Sequence, residues 1–149
     1  MIFNTVKQVS LYIISYLGLI PKNKLHILIY LADKYHLQQY GRTITNDVYF
    51  KTPVGPKGLH AKKINLNNFK ITDDYDFLSD SDKKVLDYII KKFGKDTLSD
   101  LIYRICELPE YLNSSKKEIS KIEMFSKMNE FDIDDSHISI SKEVFQGYF

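Results

Sequence analysis

Residues Pro21 to Gly41 read PKNKLHILIYLADKYHLQQYG, and the fold turns on that stretch. Between Leu25 and Ala32 only His26 is strongly polar. Apolar residues fall on every side of a 3.6-residue helix instead of on one stripe, the pattern of a helix buried inside a protein. Pro21 suits a first helical position, where a missing N–H costs nothing. Gly41 suits a left-handed stop, with Arg42 beyond it. The expectation is a central helix around which the other elements wrap.

Toward the N-terminus, Val6, Val9, Ile13 and Leu17 recur at three or four residues, with Tyr16 beside them. This spacing predicts a helix over Asn4–Leu17, with Asn4 as N-cap and Gly18 as terminator. The short link to Pro21 makes the two helices near-antiparallel neighbours. Val9 to Ile20 is apolar but short of the roughly 20 residues that span a bilayer. No small-x-small cleavage site follows it. No membrane span and no export are expected, and a single Cys fits a reducing cytoplasm.

Beyond Gly41 the composition turns to β-branched and aromatic residues. Ile44 to Thr52, broken at Asn46-Asp47, predicts a turn and a short strand. Pro53 to Gly58 holds two Pro and two Gly and reads as a loop. Period-two alternation around Asn67-Asn68 suggests a small hairpin. Helices follow from Ser79 with Asp82, ending at Gly94; from Thr97 with Asp100, ahead of Pro109; and from Ser115 with Glu118, running through Ile119, Ile122, Phe125 and Met128. The fold class expected is mainly α: a compact helical domain around the buried helix, with a small antiparallel β element in the middle of the chain. Residues 1–128 form one domain and 129–149 an acidic, aromatic tail.

A chain of 149 residues can bury a core, and 44% hydrophobic residues exclude a disordered class. The net charge of +2 conceals an asymmetry. Residues 1–70 hold ten Lys and Arg against two Asp and Glu, a balance of +8; residues 71–149 hold eleven against seventeen, a balance of −6. Either a basic face awaits a partner, or the halves neutralise one another in the fold. No Lys/Arg run exceeds two residues, sparser than a nucleic-acid patch.

Asp33, His36 and Tyr40 fall near one helix face. Asp33 and His36 read as a structural polar cluster bonding the Arg42–Asp47 loop. A binding site and an Asp/His base are the other readings. His26, His36, His60 and His137 form no HxxxH pair and Cys106 no CxxC, so no metal is expected. Cys106 is expected as a small core residue. No phosphate-binding glycine loop occurs, and neither a cofactor nor an enzymatic role is expected. The basic middle, Arg42, Lys51, Lys57, Lys62, Lys63 and Lys70, reads as a solvated face, a protein-binding face or a phosphate-contacting one.

Leu28 to Phe50, LIYLADKYHLQQYGRTITNDVYF, is similar to the signature of the Panacea (SocA-like antitoxin) domain family, which includes phage-associated proteins. In that family a (Y/F)xAD-type segment runs into HLxxYGRPITGDxY. Tyr30, Ala32, Asp33, His36, Leu37, Tyr40, Gly41, Arg42, Ile44, Thr45, Asp47 and Tyr49 match it. Thr43 stands where the family usually has Pro, and Asn46 where it usually has Gly. Gly55-Pro56 lacks the GPVP form. Ile105 to Tyr111 resembles an HExPxW-like segment, with Cys106 for the His and Tyr111 for the Trp. The resemblance spans roughly residues 3 to 125.

It implies an antitoxin that neutralises a cognate toxin by direct binding. In the SocA branch it implies a proteolytic adaptor that delivers the toxin to a Clp-type protease. The partner surface expected is Tyr40, Arg42, Asp47, Tyr49, Lys51 and Lys57, since Arg and aromatic residues make interface anchors. The tail, closing on Phe145, Tyr148 and Phe149, is a second surface. A DNA-binding regulator of its own operon, using the basic first half, is the alternative.

Overall fold

The computed structural model describes residues 2–65, 74–112 and 115–125. Its hub is α2 (Lys22–Tyr40), in which every residue from Lys24 to Gln39 is buried. It packs against α1 (Ile2–Leu17), the strand Gly55–Gly58, and the later helices α3 (Asp80–Phe93), α4 (Leu98–Cys106) and α6 (Lys121–Phe125). Gly41 closes α2 at φ 79° and donates its N–H to the Leu37 carbonyl, the left-handed stop its sequence implies. Pro21 stands one place outside the helix, with ψ 140°. Its carbonyl accepts the Leu25 N–H at 3.1 Å, so it is the capping position and not the first helical one.

Helix α1 begins at Ile2, so Asn4 lies inside the first turn and does not cap it. Val6, Val9 and Ile13 are fully buried, whereas Tyr16 is 63% exposed. Helix α3 opens with the complete Ser79/Asp82 capping box. It ends before Gly94, whose φ of −61° is ordinary. The glycine is needed there for close packing: a Cβ would lie 2.8 Å from Leu17 Cδ2. Lys24 reaches across to donate to the Gly94 carbonyl at 2.7 Å, a cation at a helix C-terminus. Helix α4 is capped by Thr97 and buries Leu101 and Ile105. Cys106 is exposed, contrary to expectation, because it falls one residue off the Leu101/Ile105 stripe. The short α5 (Pro109–Leu112) follows.

The β element is an antiparallel sheet of β1 (Tyr49–Thr52), β2 (Gly55–Gly58) and β3 (Glu118–Ile119), in the order β2-β1-β3. Tyr49 pairs with Gly58 and Thr52 with Gly55. The expected Pro53–Gly58 loop is therefore a two-residue turn and a strand. Pro56 is tolerated because β2 is an edge strand, where no ladder N–H is required. Gly55 sits at φ 108° against α2, where a Cβ would lie 2.9 Å from Ile27. After β2, Ala61–Lys63 form one 3₁₀ turn. The hairpin expected around Asn67-Asn68 lies outside the described residues, as do Met128 and the tail 129–149.

The helix start expected at Ser115/Glu118 is also corrected. Glu118 and Ile119 pair with Phe50 and Tyr49 as β3. The cap moves to Ser120, whose Oγ accepts the Glu123 N–H at 3.1 Å while Glu123 accepts the Ser120 N–H at 3.3 Å. Ile119 is 4% exposed in the sheet; its burial and the ladder bonds outweigh one more helical turn.

Candidate functional site

Asp33 sits at the centre of α2 with 0% exposure. Its Oδ1 accepts the backbone N–H groups of Ile44 at 2.7 Å and Thr45 at 2.9 Å. Its Oδ2 accepts the Thr45 hydroxyl at 2.5 Å and the Tyr49 hydroxyl. Burial pushes the Asp33 carboxyl above the usual carboxylate range, and these donors pull the other way. Burial, with the Asp33 charge beside it, pushes Tyr49 far above an ordinary phenol, so Tyr49 stays a donor.

A second carboxylate, Asp47, is 3% exposed and holds the other end of the same segment. It accepts the Val48 N–H at 2.9 Å, the His60 N–H at 3.0 Å and the Ala61 N–H at 3.1 Å. His60 Nδ1 lies 2.8 Å from Asp47 Oδ1. Asn46, between the two hubs, takes φ 58°, a conformation asparagine tolerates better than most residues. Its side chain accepts from Lys121. The stretch from Arg42 to Ala61 is thus fixed by two carboxylates from inside, and each buried charge is satisfied by several donors.

His36 does not join Asp33. Its Nδ1 donates to the Arg42 carbonyl at 2.6 Å. Its Nε2 faces Ser81 Oγ at 2.9 Å and Asp82 Oδ1 at 3.1 Å. Burial would raise the Asp82 carboxyl, but bonds from His36 and the Ser79 N–H, with the Arg42 charge, outweigh it and lower it. Arg42 itself donates to Thr43 O, Ser79 Oγ and Asp82 Oδ1 at 3.0–3.1 Å. With Asp33 and His36 both at 0% exposure, neither is open to a substrate in this arrangement.

One cluster escaped the sequence reading. Lys34 is fully buried and donates to Glu110 Oε2 and to the Met124 carbonyl, both at 2.7 Å. The Tyr30 hydroxyl also donates to Glu110 Oε2, at 2.5 Å. Gln38, one turn on from Lys34, donates to the Phe125 carbonyl. Lys34 and Gln38 thus hold the end of α6 against α2. A lysine amid a helix buried all round was the available signal, since such a cation needs a buried acid.

The expected partner residues separate. Tyr49 is 1% exposed and Asp47 3%, so both belong to the interior and neither anchors a partner from the surface. Tyr40 is half-buried, its ring 4.8 Å from that of His36. The Arg42 side chain is half exposed. Lys51 lies 5.5 Å from the Tyr111 ring centroid, on the sheet. Lys57 is close enough to His26 to disfavour its protonation: burial first, then Lys57 and Lys22, lower His26 to about 4. His26 lies fourteen positions before Tyr40, about 21 Å along the helix. Arg42 and Lys57 therefore mark opposite ends of the surface over the loop and hairpin.

Among the described residues no group of three or more His, Cys, Asp or Glu is placed to hold a metal. No described helix is long and apolar enough to cross a membrane. Comparison with curated proteins and with solved structures returned no match. The family model for the SocA-like antitoxin, Panacea domain matches residues 25–110, from the start of the buried helix to the glutamate that pairs with Lys34. The match covers more than half of the 149 residues and takes in both carboxylate hubs, so the chain belongs to the SocA-like antitoxin Panacea-domain family.

Proposed function

We propose that the protein is a binding protein, not an enzyme: a cytoplasmic antitoxin that neutralises a cognate toxin by direct contact. The observation that carries this reading is the fixing of Arg42–Ala61 by Asp33 and Asp47. A loop and hairpin held from within lose little freedom on binding, and preorganisation of this kind favours tight complexes. Five of the residues that carry the family resemblance, Tyr30, Asp33, His36, Asp47 and Tyr49, are buried, whereas the Arg42 side chain is half exposed. They build the platform, and the side chains left outside choose the partner. Arg42, Val48, Lys51 and Lys57 are the outward-facing candidates, and they suit a toxin surface that is acidic with apolar patches. Delivery of the bound toxin to a Clp-type protease is one way the contact would end in neutralisation.

Co-expression tests the proposal. The product of the adjacent gene is induced in a bacterial host with and without this chain. Arrest by the neighbour alone, and growth when both are made, is the expected result. Arg42→Glu combined with Lys51→Glu and Lys57→Glu, checked for native circular dichroism, should abolish both rescue and co-purification. Rescue that survives the triple substitution moves the contact elsewhere. Arrest that persists despite soluble wild-type chain removes the antitoxin reading. A Clp-deficient host separates blocking from delivery.

A further inference from the structure

A cleft of about 480 Å³ opens at the N-terminus of α2, between the α1–α2 link and the 3₁₀ turn. Leu19, Ile20 and Ile64 line it, together with Lys22, Lys62 and Lys63. Leu19 stands at the rim, 89% exposed. The three lysines are exposed, and none has an acidic partner among the described residues. The helix end adds to their field. Helix α2 has no acidic residue in its first turn and no side-chain cap. Its first N–H groups and the positive end of its dipole therefore meet lysines and not carboxylates, an arrangement that repels itself unless an anion is supplied.

We propose that this cleft seats an acidic segment of the same chain, Asp132 to Asp135 (DIDD). The chemistry is complementary in both of its parts. Asp132, Asp134 and Asp135 match the three lysines, and Ile133 matches the apolar lining. The chain also reaches. It leaves the described structure at Phe125, whose carbonyl Gln38 holds. Gln38 is sixteen positions beyond Lys22, about 24 Å along α2. Asp132 lies seven residues beyond Phe125 and Asp135 ten, which span up to about 25 Å and about 36 Å. Seating this segment would set three of the seventeen acids of residues 71–149 against three of the ten basic residues of 1–70. The inference does not depend on the antitoxin reading, because it concerns only the chain's contact with itself.

Zero-length carbodiimide cross-linking of the full chain at low salt tests it, with linked peptides identified by mass spectrometry. The expected result is amide bonds from Lys22, Lys62 or Lys63 to Asp132, Asp134 or Asp135, within the monomer band. They should fall to background in Asp132→Asn/Asp134→Asn/Asp135→Asn. They should also vanish in Lys62→Glu/Lys63→Glu and return when that pair is combined with Asp134→Lys/Asp135→Lys. All these lysines are exposed, so the variants should fold, which circular dichroism checks. Links found only in a dimer band assign the cleft to a second copy and overturn the proposal. So do links from these lysines to Asp73 or Asp74 alone, or no links while the lysines still react with an acylating reagent.

Discussion

The Asp47 carboxylate fills the space that a side chain on Gly58 would need: a Cβ there would lie 2.2 Å from Oδ2. The same carboxylate holds the His60 and Ala61 amides. Gly58→Ala therefore displaces a charge from its donors as well as crowding the strand. A loss of about 1–3 kcal/mol is expected, with the upper end reached if an amide is left unpaired. It is read as a lower urea midpoint at unchanged slope. A midpoint equal to wild type would contradict the close approach.

Asp33 and Tyr49 should behave as one unit. Asp33→Ala strands the Ile44 and Thr45 amides and the Tyr49 hydroxyl in the interior, and should cost at least about 3 kcal/mol. Tyr49→Phe removes a single donor and should cost about 1–2 kcal/mol. In the double variant the second change should cost much less than it does alone, because its partner is already gone. Strict additivity in equilibrium unfolding would mean that the two do not interact.

Breaking the Lys34–Glu110 pair from one side leaves an uncompensated charge in the core. Lys34→Met and Glu110→Gln should each destabilise by about 3–5 kcal/mol. The double replacement Lys34→Met/Glu110→Leu should recover part of that loss: neither charge then remains, while the Tyr30 hydroxyl and the Met124 carbonyl lose a partner. Glu110 Oε1 has no hydrogen-bond partner among the described residues, which makes the apolar pair the better tolerated. Unfolding midpoints that worsen in the double variant would count against the argument.

Acid sensitivity should come in two windows. His26 is lowered by burial, then by Lys57 and Lys22, to about 4, from an ordinary value of 6.5. Between those values the unfolded chain binds a proton that the folded chain refuses. Stability should thus fall as pH drops from about 6.5 to about 4, at no more than about 1.4 kcal/mol per unit. Asp82 is lowered in the fold, so its contribution is present above about 4 and is lost as pH falls further. His26→Gln should flatten the first window and keep the second, and Asp82→Asn the reverse. A His26→Gln curve that still loses stability as pH drops from 6.5 to 4 would assign that window to another group.

The sequence by itself determined the frame. A helix apolar on every side must be interior, and Lys24 to Gln39 are all buried. Local chemistry also fixed what local chemistry can fix: the Gly41 stop, the Ser79/Asp82 box and the Thr97 cap. Partnerships between distant residues were decided only by the tertiary structure. Nothing near Gly55–Gly58 marks it as a strand until β1 lies alongside and Ile27 and Asp47 demand the space. Ser115 and Glu118 have capping spacing, but β1 claims Glu118 and Ile119 for the sheet. Tyr49 and Asp47 look like surface anchors in the sequence because nothing local says which way a side chain in a loop or strand will face. The fold turns both inward, where one donates to Asp33 and the other gathers amides. Lys34 and Glu110 lie 76 positions apart, so only folding reveals that each is the counter-charge the other requires. Periodicity and caps act over one or two turns of chain, whereas burial and charge pairing are settled by whatever the fold brings within a few ångströms.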